Sequence, residues 1–536
     1  MVVPAPNART VGINLAGGHF AYGGTAHLML DRMLGADPWT VSMPGRPDFP
    51  APVDARGYPT SIPAGATQVG CFFPTDGAGK PGQRYVALTN KRDLTFSTAG
   101  IVAALSRSDT MVFEPYQWAR SDPNWSMGTL AITALGSPFQ PDEYIRVVRY
   151  DRLSEFENGS IYSAPMLDKL RRFGAIRFMD WLHTNSSPFK TFADLPQVDD
   201  QTYNTYNAGV PVAACCKLAN DLKVSIAELP VPHQFDNASV DKFVAQIRDT
   251  LTGRYSCAYS NEMGWQFNAA FLQGVWANEK GNERAFMAKL PQGGSRPLQY
   301  YAYRATQVMQ RAIKAFAGKR DRLVTNLGFQ AVWPSTLYRK EGALLAAREL
   351  GINAKTLGDC GFDVGQVAAY FGIPSENDVD RAKVVAWAKG GTAGLDAAFR
   401  AMMDGTGLTT TVPYRSIADQ ARLFKQWKTV LDAEHMRLGV YEWSHAMPLT
   451  GYSAQDRPFV FDLRHRMRAD NRMATGYAAM HDALAAAGCD LSYQFADVAS
   501  EVSGDTDWFV WQTESDPETP ASRWMAQVNG FILPAH

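Results

Sequence analysis

The sequence lacks a surplus of charge of either sign. Its 52 lysines and arginines are balanced by 53 aspartates and glutamates, which gives a formal net charge of −1. No segment forms the basic stripe that a protein needs to bind nucleic-acid phosphates. We therefore expect no nucleic-acid partner, and a neutral polymer or a small neutral substrate fits this balance better.

Cysteine is scarce, with six residues in 536. The six are scattered in mostly apolar or small-residue surroundings, and Cys215 and Cys216 are adjacent, so the pattern is not that of a disulfide scaffold. We expect buried thiols. Neither a CxxC motif nor a Cys/His cluster with zinc spacing occurs, and we predict no metal and no other cofactor.

Long hydrophobic runs are missing as well. No run approaches the ~18 apolar residues of a membrane span, and residues 1–18 lack the basic and apolar regions of a signal peptide. We expect no membrane span. Localisation stays open between extracellular or periplasmic action, if a signal was removed, and a cytoplasmic or virion-associated protein. Oligomeric state stays open too.

The chain contains two regions that differ in composition and hydrophobic pattern. With 46% hydrophobic residues it is in the range of globular proteins. Residues 40–150 are rich in Pro, Gly, Ser and Thr, and they contain short alternating runs at 84–88, 93–97 and 128–133. This pattern predicts an antiparallel, sandwich-like β domain. From about residue 165, helical periodicity alternates with short apolar strands, which predicts a parallel sheet covered by helices.

Eight strands of the parallel sheet are predicted: the apolar run at 11–17 is the first, and seven more follow from about residue 165 onward. The others are 174–180, 223–228, 254–259, 322–329, 364–370, 436–441 and 508–511; the main helices are 211–222, 239–251, 297–317 and 468–487. Eight strands suit a (β/α)₈ TIM barrel, with an open doubly wound sheet as the alternative. The predicted organisation is a first barrel strand and loop in 1–40, a β-rich accessory domain in 41–160, and the remaining barrel in 161–536.

Two of the predicted strands end in glutamate, where barrel enzymes place catalytic residues. The fourth strand ends in Asn261-Glu262, and the seventh ends in Glu442. Glycoside hydrolysis requires such a pair, because one carboxyl protonates the leaving oxygen and the other attacks the sugar or activates water. The side chains near the two glutamates are Trp265, Tyr441, Trp443 and His445.

The Asn-Glu and Glu endings resemble the signature of the clan A retaining glycoside hydrolases, which include family 5. The segments Arg177-Phe-Met-Asp-Trp and Tyr259-Ser-Asn-Glu are also similar to those of a poorly characterised bacterial group of barrel proteins related to this clan. The resemblance implies that Glu262 is the acid/base, Glu442 the nucleophile, and Asn261 the donor to the sugar 2-hydroxyl.

Further positions match the clan pattern. Arg177 resembles the second-strand Arg that supports the nucleophile, and Tyr370 resembles the sixth-strand Tyr that hydrogen-bonds it. Trp511 resembles the eighth-strand Trp beneath the reacting sugar, and His233 a third-strand subsite residue. We expect a single groove lined by Trp265, Trp443 and Trp511.

The resemblance implies a retaining hydrolase of β-linked oligo- or polysaccharides, with carboxyls roughly 5–5.5 Å apart. Two alternatives remain. One is a non-catalytic carbohydrate-binding or structural protein, of a surface or a virion, on a glycosidase-like barrel. The other is an enzyme of another class on the same fold.

Overall fold

The computed structural model describes most of the chain. The described residues are 10–17, 28–75, 83–98, 100–107, 110–115, 127–204, 208–263, 271–290, 293–373, 375, 377–409, 416–498, 509–511 and 516–531.

Nineteen strands lie within the described residues. In chain order they are β1 (Thr10–Asn14), β2 (Thr40–Ser42), β3 (Phe49–Pro50), β4 (Gln68–Pro74), β5 (Tyr85–Thr89), β6 (Leu94–Thr98), β7 (Gly100–Arg107), β8 (Thr110–Pro115), β9 (Met127–Leu135), β10 (Ile145–Arg149), β11 (Ala175–Arg177), β12 (Ile226–Glu228), β13 (Arg254–Cys257), β14 (Leu323–Gly328), β15 (Val364–Ala368), β16 (Phe371–Gly372), β17 (Arg437–Trp443), β18 (His445–Ala446) and β19 (Cys489–Gln494).

The α-helices of the described residues number fourteen. They are α1 (Leu153–Glu157), α2 (Ala164–Leu170), α3 (Val212–Leu222), α4 (Asn237–Thr250), α5 (Leu272–Gly281), α6 (Arg284–Met287), α7 (Arg296–Ala315), α8 (Leu337–Glu349), α9 (Asp378–Lys389), α10 (Gly391–Asp404), α11 (Ile417–Asp432), α12 (Arg457–Ala469), α13 (Arg472–Ala486) and α14 (Pro520–Val528).

Eight strands close into a parallel barrel in the order β1, β11, β12, β13, β14, β15, β17, β19. The closing pair is β19 with β1, in which Thr10 is opposite Leu491. The predicted (β/α)₈ barrel is therefore confirmed, and the open doubly wound sheet is wrong. In this order β13 is the fourth strand and β17 the seventh, so Glu262 follows the fourth and Glu442 lies in the seventh.

Between β1 and β11 the chain forms two antiparallel sheets. One has five strands in the order β3, β2, β4, β9, β6, and the other has four in the order β10, β5, β8, β7. The two sheets share a hydrophobic core. In it the ring of Phe73 lies 6.3 Å from that of Tyr85 and 6.1 Å from that of Phe113, centroid to centroid. The predicted β-rich accessory region is confirmed.

The main hydrophobic core lies between the barrel strands and the helices around them. Helix α7 shows how the sequence builds it: Leu298, Tyr301, Ala305 and Val308 are buried at three- and four-residue spacing. All six cysteines are buried thiols, as predicted. In the described part of the chain no helix is both long and apolar enough to cross a membrane.

The eighth strand was predicted wrongly. Residues 468–487 hold the end of α12 and all of α13, and β19 follows them directly. Of the predicted strand 508–511, Trp508 lies outside the described residues, and 509–511 lie outside the barrel sheet. The sequence Cys489-Asp-Leu-Ser-Tyr-Gln alternates apolar and polar residues, and its Leu491 and Tyr493 pack in a small buried cluster with Ala175, Ile226, Val324 and Val364. A search for continuous apolar runs therefore misses it. Helix α4 also begins earlier than predicted, and its N-cap is Asp236, whose side chain accepts from the Ser239 backbone N–H.

Candidate active site

Arg177 joins the polar groups inside the barrel. It lies in β11 with only 2% of its surface exposed. Its Nη1 donates to Glu442 Oε1 at 2.9 Å and to Asn14 Oδ1 at 3.0 Å. Its Nε donates to Glu228 Oε1 at 2.6 Å, and its Nη2 donates to Asn261 Oδ1 at 2.8 Å. The planar guanidinium thus fixes the relative positions of two carboxylates and two amides.

Glu442 is held at both oxygens. Besides the Arg177 bond at Oε1, its Oε2 accepts from the Tyr370 hydroxyl at 2.7 Å. Burial raises the pKa of Glu442, while the charge of Arg177 and the bonds from Tyr370 and Arg177 act to lower it. The prediction that Arg177 and Tyr370 lie within hydrogen-bonding distance of Glu442 is confirmed. Negative charge in this site is therefore best accommodated on Glu442.

Glu262 lies in a different environment. Among the described residues, the one side chain that donates a hydrogen bond to it is Tyr441, whose hydroxyl lies 2.9 Å from Oε1. Burial, followed by the nearby charge of Glu442, raises the pKa of Glu262 to about 7. The bond from Tyr441 and the charge of Arg177 act in the opposite direction. Two carboxyls whose surroundings differ in this way are suited to opposite proton-transfer roles.

The backbone around both glutamates is irregular. Ser260 and Glu262 have φ values of +56° and +45°, in the left-handed region that residues other than glycine, asparagine and aspartate seldom adopt. In β17 the pairing register shifts against β15 and β19 near residues 440–443. Consecutive side chains of a regular strand point to opposite faces, yet both Tyr441 and Glu442 reach the site. Such irregularities are concentrated at functional sites.

Asn261 is fixed by neighbours on both sides of its amide. While Oδ1 accepts from Arg177, Nδ2 donates to Asn185 Oδ1 at 3.1 Å. Gln273 Nε2 donates to the Asn261 carbonyl at 3.0 Å and to Asn185 Oδ1 at 2.9 Å. This arrangement leaves one amide hydrogen of Asn261 for a further acceptor.

A pocket opens at this end of the barrel, with an empty volume of about 410 Å³ that includes open solvent. Glu262, Asn261, Arg177 and Tyr441 form part of its lining. The rest of the lining includes Phe329 and Arg339, which follow β14 in the chain, and Tyr301 from α7.

The prediction that Trp443 lines the groove is wrong. Its side chain is 0% exposed and packs among helices outside the barrel, with ring centroids 5.3 Å from Tyr477, 6.2 Å from Trp524 and 6.4 Å from Phe371. Trp443 follows Glu442 in the strand, so its side chain projects to the opposite face. His445 is misplaced for the same reason, since its ring lies 5.9 Å from Phe371, on the helix side.

Trp511 and His233 are also placed away from the two glutamates. The indole of Trp511 is 1% exposed; it lies 6.2 Å from the Phe173 ring and beneath the Lys169 ammonium at 4.6 Å. The Trp511 backbone N–H donates to the Asp497 carbonyl, but its ring packs against Phe173 and Lys169 rather than against the two glutamates, so its predicted role beneath a sugar is wrong. His233 is buried beside Trp276 at 5.5 Å, and burial lowers its pKa to about 4. Trp265 lies outside the described residues.

Several site residues were missed from the sequence. Glu228, in β12, accepts from Arg177, Ser256 and Gln366, and a carboxylate inside a short apolar strand was the available signal. Phe495 directly follows β19, and its ring lies 6.4 Å from that of Tyr370. It could not be recognised because the eighth strand had been misplaced.

Two further carboxyls lie close to this network. Burial and the charge of Glu442 raise the pKa of Asp180 to about 7. Burial likewise raises the pKa of Asp497 to about 7, and its Oδ1 accepts from the Ala16 N–H at 2.8 Å. Among the residues that the structure describes, no group of three or more His, Cys, Asp or Glu side chains is arranged to hold a metal ion.

Trp443→Phe should therefore test packing rather than binding. We expect it to lower the free energy of unfolding by roughly 1–3 kcal/mol, because a smaller ring leaves a cavity among buried aromatics. Saccharide binding should be unchanged. Denaturant unfolding and calorimetric titration measure the two effects; weakened binding at unaltered stability would contradict the buried placement.

The sequence matches no family profile and no curated protein. Solved structures with a similar fold include AbfB, a family 51 α-L-arabinofuranosidase from Bifidobacterium longum, at 11% identity and a TM-score of 0.39, covering 69% of this chain and 67% of that one. A GH10 xylanase from Bispora sp. MEY-1 has 10% identity and a TM-score of 0.33, with 68% and 93% of the two chains covered. Xylanase 10B from Thermotoga maritima has 10% identity and a TM-score of 0.33, with 68% and 88% covered. Likeness at this level does not bear on activity, so the case for function depends on the site's own contacts.

Proposed function

We propose that the protein is a retaining glycoside hydrolase that cleaves β-linked glycosidic bonds of an oligo- or polysaccharide. The observation that carries the proposal is the unequal environment of the two strand-end glutamates. Glu442 is bonded by the Arg177 guanidinium and the Tyr370 hydroxyl, whereas burial and Glu442 raise the pKa of Glu262 to about 7. One carboxyl is thus suited to act as an anionic nucleophile and the other as a neutral acid.

In the first step, a Glu442 oxygen attacks the anomeric carbon while the bond to the leaving oxygen breaks. Glu262 transfers its proton to that oxygen, so the leaving group departs as a neutral alcohol. As Glu442 becomes an ester it loses its charge, and Glu262 becomes a carboxylate. Asn261, held by Arg177 and Asn185, is placed to donate its remaining amide hydrogen to the sugar 2-hydroxyl.

In the second step, Glu262 accepts a proton from water as the water oxygen attacks the anomeric carbon. The ester bond to Glu442 breaks and its carboxylate is restored. Two inversions at the same carbon give net retention. Arg177 and Tyr370 stabilise the returning charge, because both donors already point at the oxygens of Glu442.

The proposal is tested by the configuration of the first-formed product. A panel of aryl β-glycosides should give the β-anomer, observed by proton NMR before mutarotation. Glu262→Ala should be slow, and azide should restore part of its turnover as a β-glycosyl azide, because a small anion needs no general base. The wild-type enzyme with azide is the control. An α-product, or rescue that yields an α-azide, would rule out the mechanism.

The pH profile of kcat/KM should also follow Glu262. Activity requires this carboxyl to be protonated, so the rate should fall as pH rises through a value near 7. The Tyr441 hydroxyl stabilises the carboxylate form, so Tyr441→Phe should raise the pKa of Glu262 and move the basic limb to higher pH. Tyr162→Phe, which removes a hydroxyl bonded to the Ala214 carbonyl, should leave the limb in place. A limb that moves to lower pH in Tyr441→Phe would contradict the assignment.

A further inference from the structure

Arg339 is a buried cation in the lining of the same pocket. It lies in the first turn of α8, the helix that follows the fifth barrel strand, and is 5% exposed. Its guanidinium lies 4.9 Å from the centroid of the Phe329 ring and 5.8 Å from that of Tyr301. All three residues, together with Glu262, line the pocket.

This guanidinium has no anionic partner in the part of the chain that the structure describes. The groups that act on its charge are the phenols of Tyr301 and Tyr441, and burial lowers its pKa to about 10, so it remains a cation at neutral pH. Its Nε is buried without a hydrogen-bond partner among the described residues. The segment 264–270, which follows Glu262 in the chain, contains no Asp or Glu.

Two other buried arginines, Arg177 and Arg304, have partners that Arg339 lacks. Arg177 is paired with Glu228 and Glu442, and Arg304 donates to the Asn237 side chain and the Phe235 carbonyl. Burying a charge without a partner lowers stability. A buried cation without an anionic partner in the wall of a pocket has the character of a group whose partner arrives with the ligand.

We propose that Arg339 binds an oxyanion carried by the substrate, and that the sugar held in this pocket is acidic, bearing a carboxylate or a sulfate. The inference rests on the proposed function, because it places the acidic sugar in the pocket that contains Glu262. The guanidinium fork can donate two parallel hydrogen bonds to such a group. The rings of Phe329 and Tyr301 pack against the guanidinium. The near-zero net charge of the whole chain favours a neutral substrate, but net charge does not reveal a single buried cation in a pocket.

The test compares saccharides that differ in charge alone. Calorimetric titration would use β-linked glucuronate oligomers, glucose oligomers of the same linkage and length, and the 6-O-sulfated glucose oligomers. The wild-type protein should bind one acidic series about 10–100-fold more tightly than the neutral one, as expected for a charge-assisted hydrogen bond. The acidic series that binds more tightly distinguishes a carboxylate from a sulfate.

Arg339→Met should remove that preference while leaving binding of the neutral oligomer unchanged. The melting temperature should hold or rise, because an unpaired buried charge is replaced by an apolar side chain. Arg339→Lys should recover part of the preference. Arg304→Met, the matched control, should lower the melting temperature and leave the preference intact.

Equal binding of acidic and neutral oligomers by the wild-type protein would overturn the inference, as would an acidic preference that survives Arg339→Met. Absence of binding in all three series would also overturn it. Hydrolysis confined to neutral sugars would overturn it while leaving the proposed hydrolase intact. Arg339-dependent binding of acidic sugars without hydrolysis would support it and contradict the hydrolase.

Discussion

Glu442→Gln should lower kcat by a factor on the order of 10⁴ or more, since loss of a covalent nucleophile has effects of this size in other hydrolases. Glutamine has the shape of glutamate and can still accept from Arg177, so the fold should be retained. It cannot form the glycosyl ester, because an amide oxygen is a poor nucleophile. The measurement is steady-state hydrolysis of an aryl β-glycoside with a good leaving group, for which protonation by Glu262 matters least.

The matched control for that variant is Glu434→Gln. Glu434 is also buried, but it pairs with Lys340 at 2.9 Å and accepts from the Leu357 N–H, outside the barrel interior. Its substitution should leave kcat close to that of the wild-type protein. Full activity in Glu442→Gln, with loss of activity in Glu434→Gln, would show that the catalytic group lies outside the barrel site.

Arg177→Met should lower the free energy of unfolding by about 3–5 kcal/mol, the usual effect of removing one partner from a buried ion pair. The variant leaves Glu228 and Glu442 buried in the barrel without their shared cation. It also removes the charge that lowers the pKa of Glu442, so a larger fraction of this carboxyl becomes protonated and inactive. Denaturant unfolding measures the loss of stability. The raised pKa of Glu442 should move the acidic limb of the kcat/KM profile to higher pH.

Arg177→Lys separates the charge from the geometry. An ammonium keeps the positive charge but cannot reach four acceptors in one plane. We therefore expect a smaller loss of stability than in Arg177→Met. Expressed as free energies, the loss of kcat should exceed the loss of stability. The exposed Arg171, which pairs with Asp168 on the surface, supplies the control: Arg171→Met should change stability by less than about 0.5 kcal/mol. Equal stability of Arg177→Met and the wild-type protein would contradict the described network.

The strands that carry the two glutamates could be predicted because their signals are local. Asn261-Glu262 and Glu442 stand at the ends of apolar strands, and parallel strands of a closed barrel bring their carboxyl ends to one rim. The same rule brought Arg177 and Tyr370 to Glu442, which the structure confirms. These positions depend on strand order alone, and strand order followed from the alternation of β and α segments.

The predictions for the aromatic residues were wrong because the position of a side chain depends on which face of the strand it occupies. Trp443 and His445 were assigned by their distance in sequence from Glu442, whereas the pleat directs Trp443 towards Tyr477 of α13 and His445 towards Phe371. The prediction for Trp511 was wrong because the true eighth strand, β19, alternates apolar and polar residues and was not recognised. Arg339 carried no strand-end signal at all: it lies on a helix, and the packing of α8 against α7 brings it to the pocket.

Covalent trapping tests the central claim most directly. The wild-type protein would be incubated with a panel of activated 2-deoxy-2-fluoro β-glycosides, neutral and uronate, and its peptides analysed by mass spectrometry. Fluorine at carbon 2 slows both steps, and the activated leaving group lets the first proceed, so the glycosyl ester should accumulate. The account predicts one glycosyl group, attached to the peptide containing Glu442. A label on any other side chain, or its persistence in Glu442→Gln, would contradict it.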